Sequence, residues 1–322
     1  MDEFGLIAKY LKPLAAGAPG AFGLEDDAAA ITVPPGNELI LTKDAIVAGV
    51  HFLASDSLDL VAKKLIRVNV SDLAAKGARP IGYLLACCWP RATREADIEL
   101  FAQGLAEDQA LYGLSLLGGD TTVSDGPLVL SLTALGSVAV GKMVHRKGAR
   151  MGDRVLVTGT LGDAGLGLRI ARGETWGAGA ADEAFLLRRY RLPEPRLAFG
   201  LAANELMRSA IDISDGLIAD AGHIADASQA GLRLYAARLP LSSAAAGWIR
   251  LGGDIAFLAT CGDDYEICFT APAQSMAALE AQAARSGTRL TEIGEVVAGA
   301  GVQLIGPSGQ ELAVSRGGYS HF

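Results

Sequence analysis

The stretch 68–78, VNVSDLAAKGA, constrains the fold most, because it carries polar side chains into an otherwise apolar helix. Apolar residues recur at helical spacing through this stretch and the residues before it, and Pro80 ends the predicted helix. Asn69, Ser71 and Asp72 interrupt the apolar stripe. A carboxylate in such surroundings needs a partner, because burying an unpaired charge is costly. Asp72 is therefore predicted to belong either to an ionic site or to a salt bridge.

The composition of the chain excludes some classes of function. Half of the 322 residues are apolar and the formal net charge is −8, which argues against nucleic-acid binding. An acidic protein that binds phosphorylated ligands usually needs metal ions as intermediaries. No apolar run reaches the length of a membrane span, and the first residues lack the pattern of a signal peptide. The four cysteines form no Cys-x-x-Cys pair, so we expect reduced thiols in a cytoplasmic protein without a membrane partner.

A basic, glycine-containing segment at 141–153 marks a predicted boundary between two domains, 1–141 and 142–322. In the first domain, strands are predicted at 28–33, 38–42, 81–89, 115–117 and 128–140, with helices at about 57–79 and 94–112. The second domain also alternates strands and helices. The predicted fold class is therefore α/β (α+β), with two mixed domains.

Five short stretches share one design, in which an apolar strand or helix leads to an Asp beside small or polar residues. They contain Asp27, Asp44, Asp72, Asp120 and the pair Asp212 and Asp215. Magnesium prefers hard oxygen ligands, typically a few carboxylates completed by water and substrate phosphates. Each of these Asp residues also suits a turn or a helix N-cap, and Asp215 is well placed to cap the next helix. The repetition of the design in both halves favours a phosphate site with several metal ions.

Six motifs occur in order across nearly the whole chain and resemble those of the thiamine-monophosphate kinases. They are GLEDDA, TKDAIVAGVHF, VNVSDLAAKGA, GGDT, DISDGL and GDDYE. This family belongs to the superfamily of aminoimidazole ribonucleotide synthetase and selenophosphate synthetase. The resemblance implies a homodimer in which the N-terminal domain binds ATP and metal and forms the dimer. It also implies that several Mg²⁺ ions hold ATP, whose γ-phosphate passes directly to thiamine monophosphate to give thiamine diphosphate.

The resemblance also implies roles for individual residues. The implied metal positions are Asp27, Thr42, Lys43, Asp44, Asp72, Asp120, Asp212 and Asp215. The implied ATP contacts are Gly119, Asp120, Arg146 and Ser214, and the implied substrate pocket contains His51, Asp263 and Tyr319. Lys43 departs from the family pattern, which has a small hydroxyl residue there. Either a backbone carbonyl replaces that ligand or one ion is held differently.

The implied reaction needs no general base. A phosphate monoester has a second pKa of about 6, so the acceptor is largely dianionic at neutral pH. Transfer then depends on alignment and on charge neutralisation by metal ions. Structural alternatives remain for three residues: His51 satisfied within its loop, Arg146 solvated in a basic linker, and Tyr319 at a frayed end.

Three other functions compete with the kinase. The enzymatic rival is another member of the superfamily, although the first cysteine is Cys87 and the chain ends in Phe322, not cysteine. Selenophosphate synthetases need a reactive residue near the amino terminus, and the hydrogenase-maturation relatives end in cysteine. An aminoimidazole ribonucleotide synthetase fits the GVHF and GDDYE motifs less well. A nucleotide sensor without turnover and a purely structural dimer are the non-enzymatic alternatives.

Overall fold

The computed structural model describes residues 3–314 and 318, and within them the chain divides into two compact units. The first unit comprises the residues up to Leu73 together with Ala78–Gly141. The second comprises Ala74–Gly77 and the chain from Lys142 onward. Each unit combines one β-sheet with helices, as predicted.

Within the described part of the first 141 residues, residues 3–141, there are three α-helices and four strands. The helices are α1 (Glu3–Leu6), α2 (Leu58–Ala75) and α3 (Glu95–Tyr112), and the strands are β1 (Asn37–Val47), β2 (Arg79–Pro90), β3 (Leu116–Ser124) and β4 (Val129–Ala139). The predictions of α2, α3, β1, β2 and β4 are confirmed. The strand predicted at 28–33 is wrong, because these residues form a loop that is held where the Ala30 N–H donates to Gly20 O at 2.8 Å.

The sheet of the first unit has the strand order β1-β4-β2-β3, and only the β2/β3 pair is parallel. One face is buried beneath helices: Trp89 of β2 meets Phe101 of α3 edge-to-face, with ring centroids 5.3 Å apart. The other face carries exposed apolar side chains, including Leu41, which is 60% exposed, and Leu84, which is 42% exposed. The unit is therefore a two-layer structure with one open sheet face.

The second half of the chain contains seven α-helices and six strands within the described residues. The helices are α4 (Asp163–Ala171), α5 (Ala180–Arg191), α6 (Leu197–Ala203), α7 (Leu217–Ser228), α8 (Ser243–Arg250), α9 (Ile255–Thr260) and α10 (Met276–Arg285). The strands are β5 (Arg154–Thr158), β6 (Ser209–Asp212), β7 (Gly231–Tyr235), β8 (Ile267–Ala271), β9 (Leu290–Val297) and β10 (Val302–Ile305). The sequence indicated most of these elements but not α5.

The six strands form one sheet in the order β10-β7-β9-β5-β8-β6, and only the β10/β7 pair is parallel. Alternate residues of β5 enter two separate cores. Val155 packs with α7 on one face, whereas Leu156 packs with Phe199 of α6 and Leu279 of α10 on the other. The second unit therefore has its sheet between two helical layers. In the part of the chain that the structure describes, no helix combines the length and apolar character needed to cross a membrane.

Candidate functional site

Three of the predicted residues line one cavity in the first unit. The cavity has a volume of about 200 Å³, and Asp27, Gly119 and Asp120 contribute to its wall. Apolar side chains from β2, β3 and the amino-terminal segment complete the lining. The cavity thus combines three carboxylates, those of Asp26, Asp27 and Asp120, with an apolar surface, as expected of a site that binds a ligand with both polar and apolar parts.

Gly119 is required by the close approach of β3 to β2. A Cβ atom at this position would lie 1.8 Å from the carbonyl oxygen of Leu85, its partner in the parallel pair. The sequence predicted the Gly-Gly-Asp-Thr segment as a loop after a short strand, but β3 continues through it to Ser124. Asp120 is therefore held within a strand, opposite Ala86 of β2.

Thr42 and Asp72 are in direct contact, because the Thr42 hydroxyl of β1 donates a hydrogen bond to the Asp72 carboxylate of α2. Asp44, two residues after Thr42, lies on the same face of β1. Lys43 points to the opposite, open face, where its ammonium group donates to Ser131 Oγ at 2.8 Å. The Lys43 side chain is thus turned away from Thr42 and Asp72.

The first unit therefore presents its predicted metal positions in two groups. Thr42, Asp44 and Asp72 lie on the helix-covered side of the sheet. Ser131, which Lys43 contacts on the open side, lies opposite Ala86 of β2, and Ala86 lies opposite Asp120 of β3. Asp120 is therefore on the open side, where it lines the cavity together with Asp27. The sequence singled out these residues but could not show that they lie on two sides of the sheet.

His51 is anchored within its own loop. Its Nδ1 accepts a hydrogen bond from Val47 N at 3.1 Å, which fixes the neutral ring as the Nε2–H tautomer. The His51 carbonyl accepts from the buried Lys64 ammonium of α2 at 3.0 Å. These two bonds hold the His51 loop against the start of α2.

In the second unit, the structure brings the DISDGL and GDDYE motifs side by side. Asp263 N donates to Ser214 O at 2.8 Å, and Tyr265 N donates to Ile213 O at 2.8 Å. Gly262 makes this approach possible, since a Cβ there would lie 2.3 Å from Ser214 O. The predicted substrate residue Asp263 and the predicted ATP contact Ser214 are therefore neighbours.

Asp220 organises the DISDGL loop, a role that the sequence reading missed. It lies in the first turn of α7 and is 2% exposed. One of its carboxylate oxygens accepts the N–H groups of Ser214, Asp215 and Gly216 at 3.0, 3.0 and 3.2 Å. Burial raises the pKa of Asp220 to about 7, and these N–H donors oppose the rise. The available sequence signal was an acidic residue in the first turn of an apolar helix.

Asp264 anchors the GDDYE loop in a similar way. Its carboxylate accepts the N–H groups of Gly162 at 2.7 Å and Ala164 at 3.3 Å, at the start of α4. Burial raises the pKa of Asp264 well above its ordinary value, and the Gly162 N–H opposes the rise. The glycine-rich turn before α4 therefore donates to an internal carboxylate, although such turns also suit phosphate.

Glu266, the last residue of this motif, is fully buried in an ionic network. It accepts hydrogen bonds from Arg189 at 2.9 Å, from Arg196 at 2.5 and 2.7 Å, and from the Thr158 hydroxyl at 2.8 Å. Gly159 packs against it, because a Cβ there would lie 1.9 Å from the Glu266 carboxylate. Glu266 is therefore a structural anchor of the second unit rather than a group available to a ligand.

Two predicted residues, Arg146 and Tyr319, lie outside the groups described above. Arg146 is exposed, and its carbonyl accepts from Ser228 Oγ at 3.5 Å. Tyr319 lies outside the described residues. Its neighbour Gly318 lies against the DISDGL loop, since a Cβ at Gly318 would be 2.5 Å from Asp215 O.

The oxygen donors fit magnesium better than a transition metal. Among the described residues, no three His, Cys, Asp or Glu side chains are close enough together to hold an ion alone. Magnesium often uses only one or two carboxylates and completes its octahedral shell with water and substrate phosphates. Asp27 and Asp120, which line one cavity, and Asp212 and Asp215, which are three residues apart in the chain, have the donor chemistry that this mode requires.

The chain matches two family descriptions over most of its length. Residues 25–138 match "AIR synthase related protein, N-terminal domain", and residues 150–306 match "AIR synthase related protein, C-terminal domain". A thiamine-monophosphate kinase of Caulobacter vibrioides is 48% identical over 99% of this chain and 90% of the relative.

Two solved structures agree with these matches. The thiamine-monophosphate kinase of Stenotrophomonas maltophilia K279a has a TM-score of 0.81 and 38% identity, covering 90% of this chain and 91% of its own. AaThiL complexed with AMPPCP and TMP has a TM-score of 0.77 and 32% identity, covering 99% of this chain and 97% of its own. The predicted two-domain α/β fold is confirmed, and the chain belongs to the thiamine-monophosphate kinase family within the AIR synthase related proteins.

Proposed function

We propose that this protein phosphorylates thiamine monophosphate with ATP and releases thiamine diphosphate and ADP. The observation that carries the proposal is the 48% identity to a thiamine-monophosphate kinase across 99% of this chain. The likeness to AaThiL complexed with AMPPCP and TMP, at 32% identity, supports both substrates.

We infer that Mg²⁺ ions are held at three groups of oxygen donors. These groups are Thr42 with Asp44 and Asp72, Asp27 with Asp120, and the DISDGL loop, where Asp212 is one ligand and Asp215 holds a further ion. Bound magnesium would supply the positive charge that lets two anionic substrates meet in a protein with a net charge of −8.

The chain's own residues then bind and orient the substrates. Gly119 and Ser214 lie beside these donors and are assigned to ATP, together with Arg146. His51 and Asp263 are assigned to the thiamine phosphate. No residue acts as a general base, because the acceptor phosphate is already ionised at neutral pH, with a second pKa of about 6.

The activity is tested by coupled ADP release with Mg·ATP and a panel of acceptors. We expect turnover with thiamine monophosphate and none with thiamine or with aminoimidazole precursors. Turnover with a different acceptor would move the protein to another branch of the superfamily. ATP binding without turnover would instead support a nucleotide sensor.

We also infer a homodimer that forms through the open sheet face of the first unit. Leu39, Leu41 and Leu84 lie on this face and are exposed, and apolar side chains exposed on one sheet face are typical of an interface. Light scattering is expected to give twice the chain mass, and Leu41→Glu is expected to give monomers. Leu111→Glu, at an exposed leucine on α3, is the matched control and should leave the dimer intact. A monomeric wild-type protein would contradict the inference.

We place the reaction in the cytoplasm. All four cysteines are thiols in the structure, and thiols persist in reducing compartments. Cell fractionation is expected to recover the protein with cytoplasmic markers, and recovery with secreted proteins would contradict this placement.

A further inference from the structure

The second unit contains two turns of the kind that usually bind phosphate, but their N–H groups are already engaged. Each turn lies between a β-strand and a helix and contains glycine. The N–H groups of Ser214, Asp215 and Gly216 donate to Asp220, and those of Gly162 and Ala164 donate to Asp264. Internal carboxylates therefore take the place that a phosphate would otherwise occupy.

The DISDGL loop consequently presents its side chains, rather than its amides, to a ligand. Three consecutive N–H groups face inward to Asp220, which is 2% exposed. The side chains of this loop that the proposed function assigns to metal and ATP are the carboxylates of Asp212 and Asp215 and the Ser214 hydroxyl. This arrangement suits a divalent cation, and it approaches a phosphate only through that cation.

The loop is also fixed on its other side. Ser214 O accepts the N–H of Asp263 at 2.8 Å, and Gly216 has a φ of 118°. A Cβ at Gly216 would lie 2.5 Å from Thr260 O, so the loop is packed tightly against the end of α9. With both sides held, Asp215 has one backbone position from which to reach a cation.

We propose that Asp220 is a positioning residue, whose carboxylate holds the Ser214–Gly216 backbone so that Asp212 and Asp215 can bind divalent cations. The inference rests on the proposed function, because these cations are the ones that accompany ATP. Asp220 touches neither substrate nor cation. It acts by holding the backbone, since without it the three N–H groups lose their acceptor and the loop relaxes.

The test compares Asp220→Ala and Asp220→Asn with the wild-type chain, using Mn²⁺ alone as the probe. Electron paramagnetic resonance measures the Mn²⁺ dissociation constant, and hydrogen exchange measures protection of the 213–217 amides. Asp97→Ala is the matched control, because Asp97 also accepts a backbone N–H, that of Arg94 at 2.9 Å, at the start of α3.

We expect Asp220→Ala to weaken Mn²⁺ binding at least tenfold at the sites of the DISDGL loop, while the other sites keep their affinity, and to speed exchange of these amides. Asp97→Ala should change neither. Groups that orient metal ligands typically contribute about 10–100-fold to metal affinity, so a tenfold loss is at the lower end of that range. Asp220→Asn keeps an acceptor oxygen and should retain both amide protection and most of the affinity.

Two results would overturn the proposal. One is a folded Asp220→Ala protein that binds Mn²⁺ as tightly as the wild type. The other is an Asp220→Asn protein with protected amides but tenfold weaker binding, since the charge of Asp220 would then matter rather than its hold on the loop. If Asp220→Ala does not fold, Asp220→Asn decides alone. Failure of the kinase activity is separate, because it would leave these cation measurements unchanged.

Discussion

Replacing Gly119 by alanine should damage both the sheet of the first unit and the activity. The added Cβ would lie 1.8 Å from Leu85 O and 2.8 Å from Leu85 C, both of them backbone atoms that cannot rotate away. Restoring a normal contact requires β3 to move by about 1 Å. Asp120, the next residue, would move with the strand.

The magnitude follows from these distances. Overpacking typically costs about 1–3 kcal/mol, and a backbone collision belongs at the upper end of that range. At about 2–4 °C per kcal/mol, the melting temperature should fall by roughly 6–12 °C. Because Asp120 is displaced by about 1 Å, kcat/KM should fall by about 10²-fold.

Gly118→Ala provides the matched control, since the neighbouring Cβ would meet only Leu84 Cδ2 at 3.6 Å, an ordinary contact. Calorimetry and the coupled ADP assay should find this variant close to the wild type. If Gly119→Ala had the same melting temperature and kcat/KM as Gly118→Ala, the reasoning would be refuted.

Three further substitutions test other parts of the account. Thr42→Val removes the hydrogen bond to Asp72 and should raise the Mg²⁺ concentration for half-maximal activity severalfold, and an unchanged Mg²⁺ titration would exclude that role. Lys43→Thr should change the Mg²⁺ titration less than Thr42→Val does, because the Lys43 side chain lies on the face of β1 opposite Thr42 and Asp72. A larger shift of the Mg²⁺ titration with Lys43→Thr would show that Lys43 itself serves that group. Glu266→Gln should destabilise the protein by about 3–5 kcal/mol in denaturant titrations, since two arginines lose their buried counter-charge, and wild-type stability would contradict this.

The sequence predicted the elements whose patterns are local. Helices α2 and α3 carry long apolar periodicities, and their observed bounds lie within a few residues of the predicted ones. The strand before the GGDTT segment was predicted to end at Leu117. It continues as β3 because β2 offers a parallel partner, and that pairing depends on tertiary structure.

The site residues could be recognised where a local motif marks them, but not where their role depends on contacts between distant parts of the chain. Asp72 and its motif could be recognised, but its contact with Thr42, 30 residues away, could not. The anchors were harder still: Glu266 and its partner Arg189 are 77 residues apart, and nothing in either local sequence indicates the other. The first long strand was predicted to end at residue 42, so the alternation that turns Lys43 and Asp44 to opposite sides of the sheet could not be applied to them.

The most direct test of the central claim follows the γ-phosphate of ATP itself. The protein is incubated with γ-³²P-labelled ATP, Mg²⁺ and thiamine monophosphate, and the products are separated by chromatography. The account predicts one labelled thiamine diphosphate for each ADP formed, and no label in free phosphate. Label that appears only in inorganic phosphate, or that fails to leave ATP, would contradict it.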